Sequence, residues 1–247
     1  MKHPKFWNLI RAQDGGSAEV RVDGEIISDD WAWLYEWYEA AYTSPGSLRA
    51  DLASLNGAPL TVWIDSPGGD VVAASAIYTA LMEYKGPVTV KIDGACYSAA
   101  SVIAMAGERI YMSPLATMMI HLAWTHDAGN AYALRHTADI LEQADEALIN
   151  AYEIKTSKPR AEIRALLEAN DKQGTWMSAA RAIELGFADA MLYAADSKEA
   201  QGAIVAHAQR MYAMLHAGTP PEPGTPEPKT EDWDTEAAQL TLERLRT

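Results

Sequence analysis

A serine, a glycine pair and a histidine are spaced along this chain so that acyl transfer becomes available. Ser98 stands in Gly94-Ala95-Cys96-Tyr97-Ser98-Ala99-Ala100-Ser101, between an apolar run and an apolar helical stretch. Ser66-Pro67-Gly68-Gly69 precedes it, and His121 closes the run Met118-Met119-Ile120 after it. A serine hydroxyl is a poor nucleophile at neutral pH and needs a base in reach to take its proton. At a strand-to-helix turn its oxygen is exposed at a sheet end, where the amides of the helix's first turn lack internal acceptors. The amide of Ala99 is then one oxyanion donor. Gly68-Gly69, read as a turn without Cβ atoms, lets a second amide approach closely. Each such donor is worth on the order of 3 kcal/mol in the transition state.

Taken singly, each part has a bland reading. A Ser-Pro-Gly-Gly is ordinarily a turn, a serine at a helix start ordinarily a cap, and a histidine after an apolar strand ordinarily a packed residue. Their order, each at a strand end, points to nucleophilic catalysis. The other histidines are His3, His126, His136, His207 and His216. His126, five residues beyond His121, competes for the base role, but a strand end fixes a side chain better than a loop. Cys96 is expected to pack as a small buried residue.

The elements that must position these groups follow from hydrophobic periodicity. Residues 18–27 alternate as a strand, and Ser28-Asp29-Asp30 are suited to cap a helix over 31–37. That helix is rich in tryptophan and is expected in a core or subunit contact. Residues 59–65 read as a strand running into the Gly-Gly turn, 70–84 as a helix, 87–92 as a buried strand, and 98–106 as a helix. Short strands are expected at 109–112 and 118–121. This alternation predicts an α/β fold with a parallel sheet and crossover helices. Such sheets place ligands at the carboxyl ends of their strands.

Residues 130–156 contain neither glycine nor proline. Leu134, Ala138, Leu141, Leu148 and Tyr152 recur there as the apolar stripe of one long amphipathic helix. Helices follow at 159–170 and 178–185, the latter capped by Ser178 and stopped by Gly186. A last helical stretch is expected at 197–217. Pro220, Pro221, Pro223, Pro226 and Pro228 then mark an extended linker, and 234–245 form a tail or docking helix through Leu240, Leu242 and Leu245. The expected division is an N-terminal segment 1–17, a domain 18–217, and a linker with an acidic tail, 218–247.

A net charge of −14 excludes general nucleic-acid binding and disfavours anionic membranes, both of which need an excess of Lys and Arg. One cysteine excludes an internal disulfide and a cysteine-based zinc cluster, and fits a reducing cytoplasm. No window approaches the ~18 apolar residues of a membrane span, and Met1-Lys2-His3 is not followed by an apolar core of signal-peptide length. Gly68-Gly69 lacks the lysine of a phosphate-binding loop. The chemistry requires no metal and no organic cofactor.

Over residues 18–191 the sequence resembles the proteolytic subunit of the Clp peptidase, ClpP, a family of serine peptidases with a crotonase-like fold. The resemblance is carried by Trp63-Ile64-Asp65-Ser66-Pro67-Gly68-Gly69, the turn 94–98, Met118-Met119-Ile120-His121, and Trp176-Met177-Ser178-Ala179 running to Leu185-Gly186-Phe187-Ala188-Asp189. It implies repeated β-β-α turns and a protruding handle helix at 130–156 through which two rings of subunits stack. Ser98 would be the nucleophile, His121 the base, and the amides of Gly69 and Ala99 the oxyanion hole. An extended peptide would lie between the segments after Gly69 and after His121, against Gly68, Asp70 and Leu122. The family's acid sits two residues before the aromatic aligned with Trp176, a position held here by Gly174. Asp171 is the nearest carboxylate, with Glu168 and Asp189 as alternatives.

Within the family, the stretch 101–108, Trp124 and Gly174-Thr175-Trp176 are more similar to the phage branch, the head-maturation proteases that trim capsid or scaffold proteins during prohead assembly. Leu122-Ala123 replace the family's usual polar residue and proline. Work with an ATP-dependent unfoldase, as in the housekeeping branch, is the alternative partnership. Two other readings remain open: a crotonase-fold enzyme stabilising an acyl-thioester enolate, and a ring-forming scaffold with vestigial catalytic residues.

Overall fold

The alternation of apolar and polar residues in the strands is what assembles this chain. The computed structural model describes residues 10–11 and 16–193. The expected helices at 197–217 and 234–245 and the proline-rich linker lie outside the described residues, as does most of the N-terminal segment. In chain order the elements are β1 (Ile10–Arg11), β2 (Ala18–Ile26), a 3₁₀ turn (Asp29–Trp31), α1 (Ala32–Trp37), β3 (Tyr42–Thr43), α2 (Pro45–Ala53) and β4 (Leu60–Gly69). There follow α3 (Val71–Met82), β5 (Val88–Tyr97), α4 (Ala99–Ala104), β6 (Arg109–Met112) and β7 (Thr117–Ile120). The last are α5 (Ala131–Thr156), α6 (Arg160–Leu167), α7 (Ala169–Lys172), β8 (Thr175–Ser178), α8 (Ala179–Glu184) and β9 (Ala190–Met191).

The strands form one sheet in the order β1-β2-β4-β5-β6-β9, with β3 beside β2, β7 also beside β5, and β8 beside β7. The central pairs β2–β4, β4–β5, β5–β6 and β5–β7 are parallel. The outer pairs β1–β2 and β7–β8 are antiparallel. Ile64, Ile92, Ile103, Ile110 and Met118 are fully buried between sheet and helices, each contributing roughly 1.5–3 kcal/mol of apolar burial. The α/β architecture expected from the sequence is therefore present, with the crossover helices α3 and α4.

Several local expectations need correction. Ser66-Pro67-Gly68-Gly69 is not a turn: β4 runs through it, and Gly68 and Gly69 pair with Glu25 and Ile26 of β2. Two glycines are needed because a Cβ on Gly69 would lie 2.1 Å from the Ile26 carbonyl oxygen, and one on Gly68 would lie 2.6 Å from that of Tyr97. Ser28 makes no side-chain cap on the 3₁₀ turn that replaces the first part of the expected helix. The tryptophans there are not core residues, since Trp31, Trp33 and Trp37 are 55%, 63% and 78% exposed. β3, α2 and β8 were not expected, being short or interrupted by polar residues.

α5 spans nearly the predicted range, capped by Asn130, whose side chain accepts from the Tyr132 and Ala133 amides. Its two halves differ. Tyr132, Leu134 and Ile140 are exposed, whereas Asp145, Leu148, Ile149, Ala151 and Tyr152 are buried. Among the described residues no helix is long and apolar enough to cross a membrane.

Candidate active site

Ser98 follows β5 directly and occupies the N-cap position of α4, yet its side chain does not cap the helix. Its backbone has φ 53° and ψ −124°, a conformation that costs a side-chain-bearing residue about 1–3 kcal/mol. Three hydrogen bonds hold it there. The Ser98 amide donates to Met119 O at 2.8 Å, and Ser98 O accepts from the Ser101 amide at 2.9 Å and from Ser101 Oγ at 2.6 Å. With its one proton committed to that carbonyl, Ser101 Oγ accepts from Tyr152 Oη at 2.8 Å. The strained turn turns the Ser98 hydroxyl away from the helix amides.

That hydroxyl meets the base. Ser98 Oγ lies 2.7 Å from His121 Nε2, so an unprotonated Nε2 accepts the hydroxyl proton, as general-base activation requires. His121 comes directly after β7. The β5–β7 register, with Tyr97 opposite Met119, sets the two side chains side by side. β8 backs the same strand end, with Thr175 opposite Ile120.

The cleft in front of the pair is lined by Gly69, Val71, Ala99, Leu122, Ala123, Trp124, Leu148 and Tyr152. Gly69 and Ala99 thus border the serine. Ile26 O accepts from the Asp70 amide, so the alternation of a parallel ladder turns the Gly69 N–H to the other side of β4. The Gly68 amide is occupied, donating to Ser66 Oγ at 3.1 Å. Ala99 is the first residue of α4 and has no i−4 carbonyl to bond within the helix. Leu122 borders the cleft, while Asp70 caps α3 by accepting from the Ala73 amide at 2.8 Å. Cys96 is fully buried and burial pushes its thiol pKa up, which suits packing rather than nucleophilic attack.

Asp171 is not brought to His121. It is exposed, in a one-turn segment where Asn170, Asp171 and Lys172 all have left-handed backbones, and among the described residues it makes no hydrogen bond to the imidazole. The Asn170 side chain donates to Gly174 O at 2.9 Å, and this tight return presents Gly174, not a carboxylate, to the histidine. A Cβ on Gly174 would lie 2.6 Å from His121 Cβ and 2.1 Å from Ile120 O. The alternatives are engaged elsewhere. Glu168 lies 3.7 Å from Arg164, and Asp189 accepts from the Ile110 amide at 2.7 Å and faces Arg109 and Lys155.

One carboxylate tied to the segment after His121 is absent from the sequence-based candidates. Asp145, on α5, is buried and accepts from the Ala123 amide at 2.7 Å, two residues beyond the histidine. Desolvation lowers the His121 pKa, and the Asp145 charge opposes it by raising it. The signal was present: Asp145 stands three residues before Leu148 and seven before Tyr152, on the apolar stripe of the helix. Tyr152, on the same stripe, has a polar role besides packing, its hydroxyl bonding Ser101 Oγ.

The direction of the His121 shift predicts a pH profile. The base must be neutral, and burial favours the neutral imidazole, so its pKa falls below the ordinary 6.5. The acid limb of kcat/KM is therefore expected below pH 6.5, with activity lost as pH falls through that lowered value. Peptide hydrolysis measured from pH 5 to 8 checks this; a limb above 6.5 would mean that Asp145 outweighs burial.

Comparison with known proteins adds a family to this geometry. The family model described as Clp protease matches residues 49–195, a span that includes Gly69, Ser98, His121 and Asp145. ATP-dependent Clp protease proteolytic subunit 1 of Chlamydia muridarum is 30% identical over 148 residues, covering 56% of this chain and 71% of that protein. Proteolytic subunit 2 of Thermobifida fusca is 29% identical over 135 residues, 54% of this chain and 64% of that protein. Proteolytic subunit 1 of Protochlamydia amoebophila is 29% identical over 140 residues, 55% and 66% respectively.

Proposed function

We propose a function from the premise that this chain belongs to the Clp protease family and is a serine-type peptidase: it cleaves peptide bonds with Ser98 as nucleophile and His121 as base. The 2.7 Å contact between Ser98 Oγ and His121 Nε2 carries this reading. His121 takes the hydroxyl proton as Oγ attacks the carbonyl carbon, and the carbonyl oxygen becomes an anion facing the amides of Gly69 and Ala99. Collapse of the tetrahedral species breaks the C–N bond, and the imidazolium returns its proton to the leaving amine. Water, deprotonated by the same histidine, then hydrolyses the acyl-enzyme and regenerates Ser98.

The substrate is an extended segment of a protein or peptide, laid between the chain after Gly69 and the chain after His121. The exposed half of α5 and the tryptophans of α1 fit contacts between subunits, and we take the working form to be a homo-oligomeric ring, paired through α5. The finer reading is processing of capsid or scaffold protein during prohead assembly in the cytoplasm of an infected cell. It is supported by the likeness of Trp124 and Gly174-Thr175-Trp176 to the phage branch. Service as the proteolytic partner of an ATP-dependent unfoldase is the second reading, favoured by the names of the relatives.

A fluorophosphonate probe tests the core of the proposal. Covalent labelling of the assembled chain is expected at Ser98 and is expected to vanish in Ser98→Ala. An unlabelled assembled protein would favour a scaffold with vestigial residues. Co-expression with candidate capsid and scaffold proteins, scored for cleavage with and without an unfoldase, separates the two partnerships.

A further inference from the structure

We infer that Asp145 is the positioning carboxylate of this peptidase, supplied by helix α5 in place of an acid next to Trp176. The inference rests on the reading of Ser98 and His121 as a catalytic pair. Among the described residues, His121 makes one side-chain hydrogen bond, to Ser98, and the loop that would bring an acid from the other side presents Gly174, where even a Cβ would lie 2.6 Å from His121 Cβ. Asp145 is 7% exposed. A carboxylate buried that far is costly unless a partner or a function retains it. Among the described residues it accepts one hydrogen bond, from the Ala123 amide at 2.7 Å, which ties α5 to the chain two residues past His121. Leu148 and Tyr152, one and two turns further along the helix, line the same cleft as His121 and Ser98.

The charges facing this carboxylate define what it can do. Arg164 of α6 favours its ionised form, Glu142 and Glu146 of its own helix oppose it, and desolvation is the largest opposing effect. Arg164 is itself shared with Glu146 and Glu168, so the negative charge on Asp145 is incompletely neutralised locally. It is left to favour the imidazolium that forms on His121 as the serine attacks. The step needs no proton on Asp145: the carboxylate stays ionised while Nε2 gains the hydroxyl proton and later releases it to the amine.

Two substitutions separate charge from architecture. In Asp145→Asn the side-chain oxygen still accepts from the Ala123 amide, so the segment after His121 keeps its tie while the charge is lost. In Asp145→Ala both are lost. The expected results for Asp145→Asn are a His121 pKa lower by about one unit and a kcat at pH 7.5 lower by about tenfold, with KM little changed. Asp145→Ala is expected to raise KM as well, because Ala123 and Leu122 border the cleft. The His121 pKa is read by NMR titration of ¹³C-histidine in the full-length assembled chain, assigned with His121→Gln. An unchanged His121 pKa in Asp145→Asn overturns the inference whatever the activity. Wild-type protein whose Ser98 resists the fluorophosphonate overturns the underlying peptidase reading instead, and leaves the comparison of pKa values intact.

Discussion

Gly174→Asp, which writes a carboxylate into the place that family resemblance assigns to the acid, is expected to abolish activity. The reason is steric. Gly174 has φ +84°, and a Cβ there would lie 2.1 Å from the Ile120 carbonyl oxygen, 2.6 Å from His121 Cβ and 2.9 Å from His121 Cα. Two of those atoms are backbone and cannot swing aside, so the β7–β8 pair must part or His121 must move. A displacement of about 1 Å in a reacting group costs on the order of a hundredfold in rate, and the Ser98–His121 contact has no slack at 2.7 Å. A fall of at least about a hundredfold in kcat/KM is expected for Gly174→Asp, with Gly174→Ala showing most of the same loss because the clash begins at Cβ. Steady-state hydrolysis of a fluorogenic peptide measures both. Improved turnover in Gly174→Asp would mean that the slot accepts an acid after all, and would remove the need for Asp145.

Gly69→Val is the second large effect. Here the obstruction is the Ile26 carbonyl oxygen, 2.1 Å from the position of an added Cβ, and φ is +142°. The carboxyl end of β4 would be forced away from β2, carrying the Gly69 amide out of the cleft. The lower part of the pair, from Ala18 opposite Leu60 to Val22 opposite Ile64, is remote from the clash and should hold the sheet together. Loss of one oxyanion donor costs about a hundred- to a thousandfold in kcat. That loss is expected with the oligomer still assembled by light scattering and Ser98 still labelled slowly by fluorophosphonate. Turnover equal to wild type would take Gly69 out of the oxyanion hole.

The sequence made the parallel core and the nucleophile–base pair legible because both are written in local pattern. Val20, Val22, Val62, Ile64, Val90 and Ile92 alternate, and Ser98 and His121 follow directly on the ends of β5 and β7. What it concealed depends on pairing across distance. Ser66–Gly69 has the composition of a turn, and only its neighbour β2 draws it out into a strand. The Trp31–Trp37 stripe has the hydrophobicity of a core helix, but no described element covers it. Asp171 is near Trp176 in sequence, whereas three successive left-handed residues turn it outward. Asp145 is 24 residues past His121 in the chain and reaches the Ala123 amide only because the buried half of α5 packs back over the site.

The parallel register has a further consequence, for the chain's life before it is folded. Ser98 ends one crossover unit, Gly69 the one before it, and His121 the one after, so no local segment contains the site. The serine's own amide is fixed by Met119 O, which exists as a partner only once β7 has docked on β5. Tyr152, which orients Ser101, is still further along the chain, as is Asp145. Non-local parallel pairing forms late and cooperatively in folding. A growing chain on the ribosome therefore holds a serine, a histidine and two glycines with no means of acting together. The topology itself keeps the peptidase silent during synthesis.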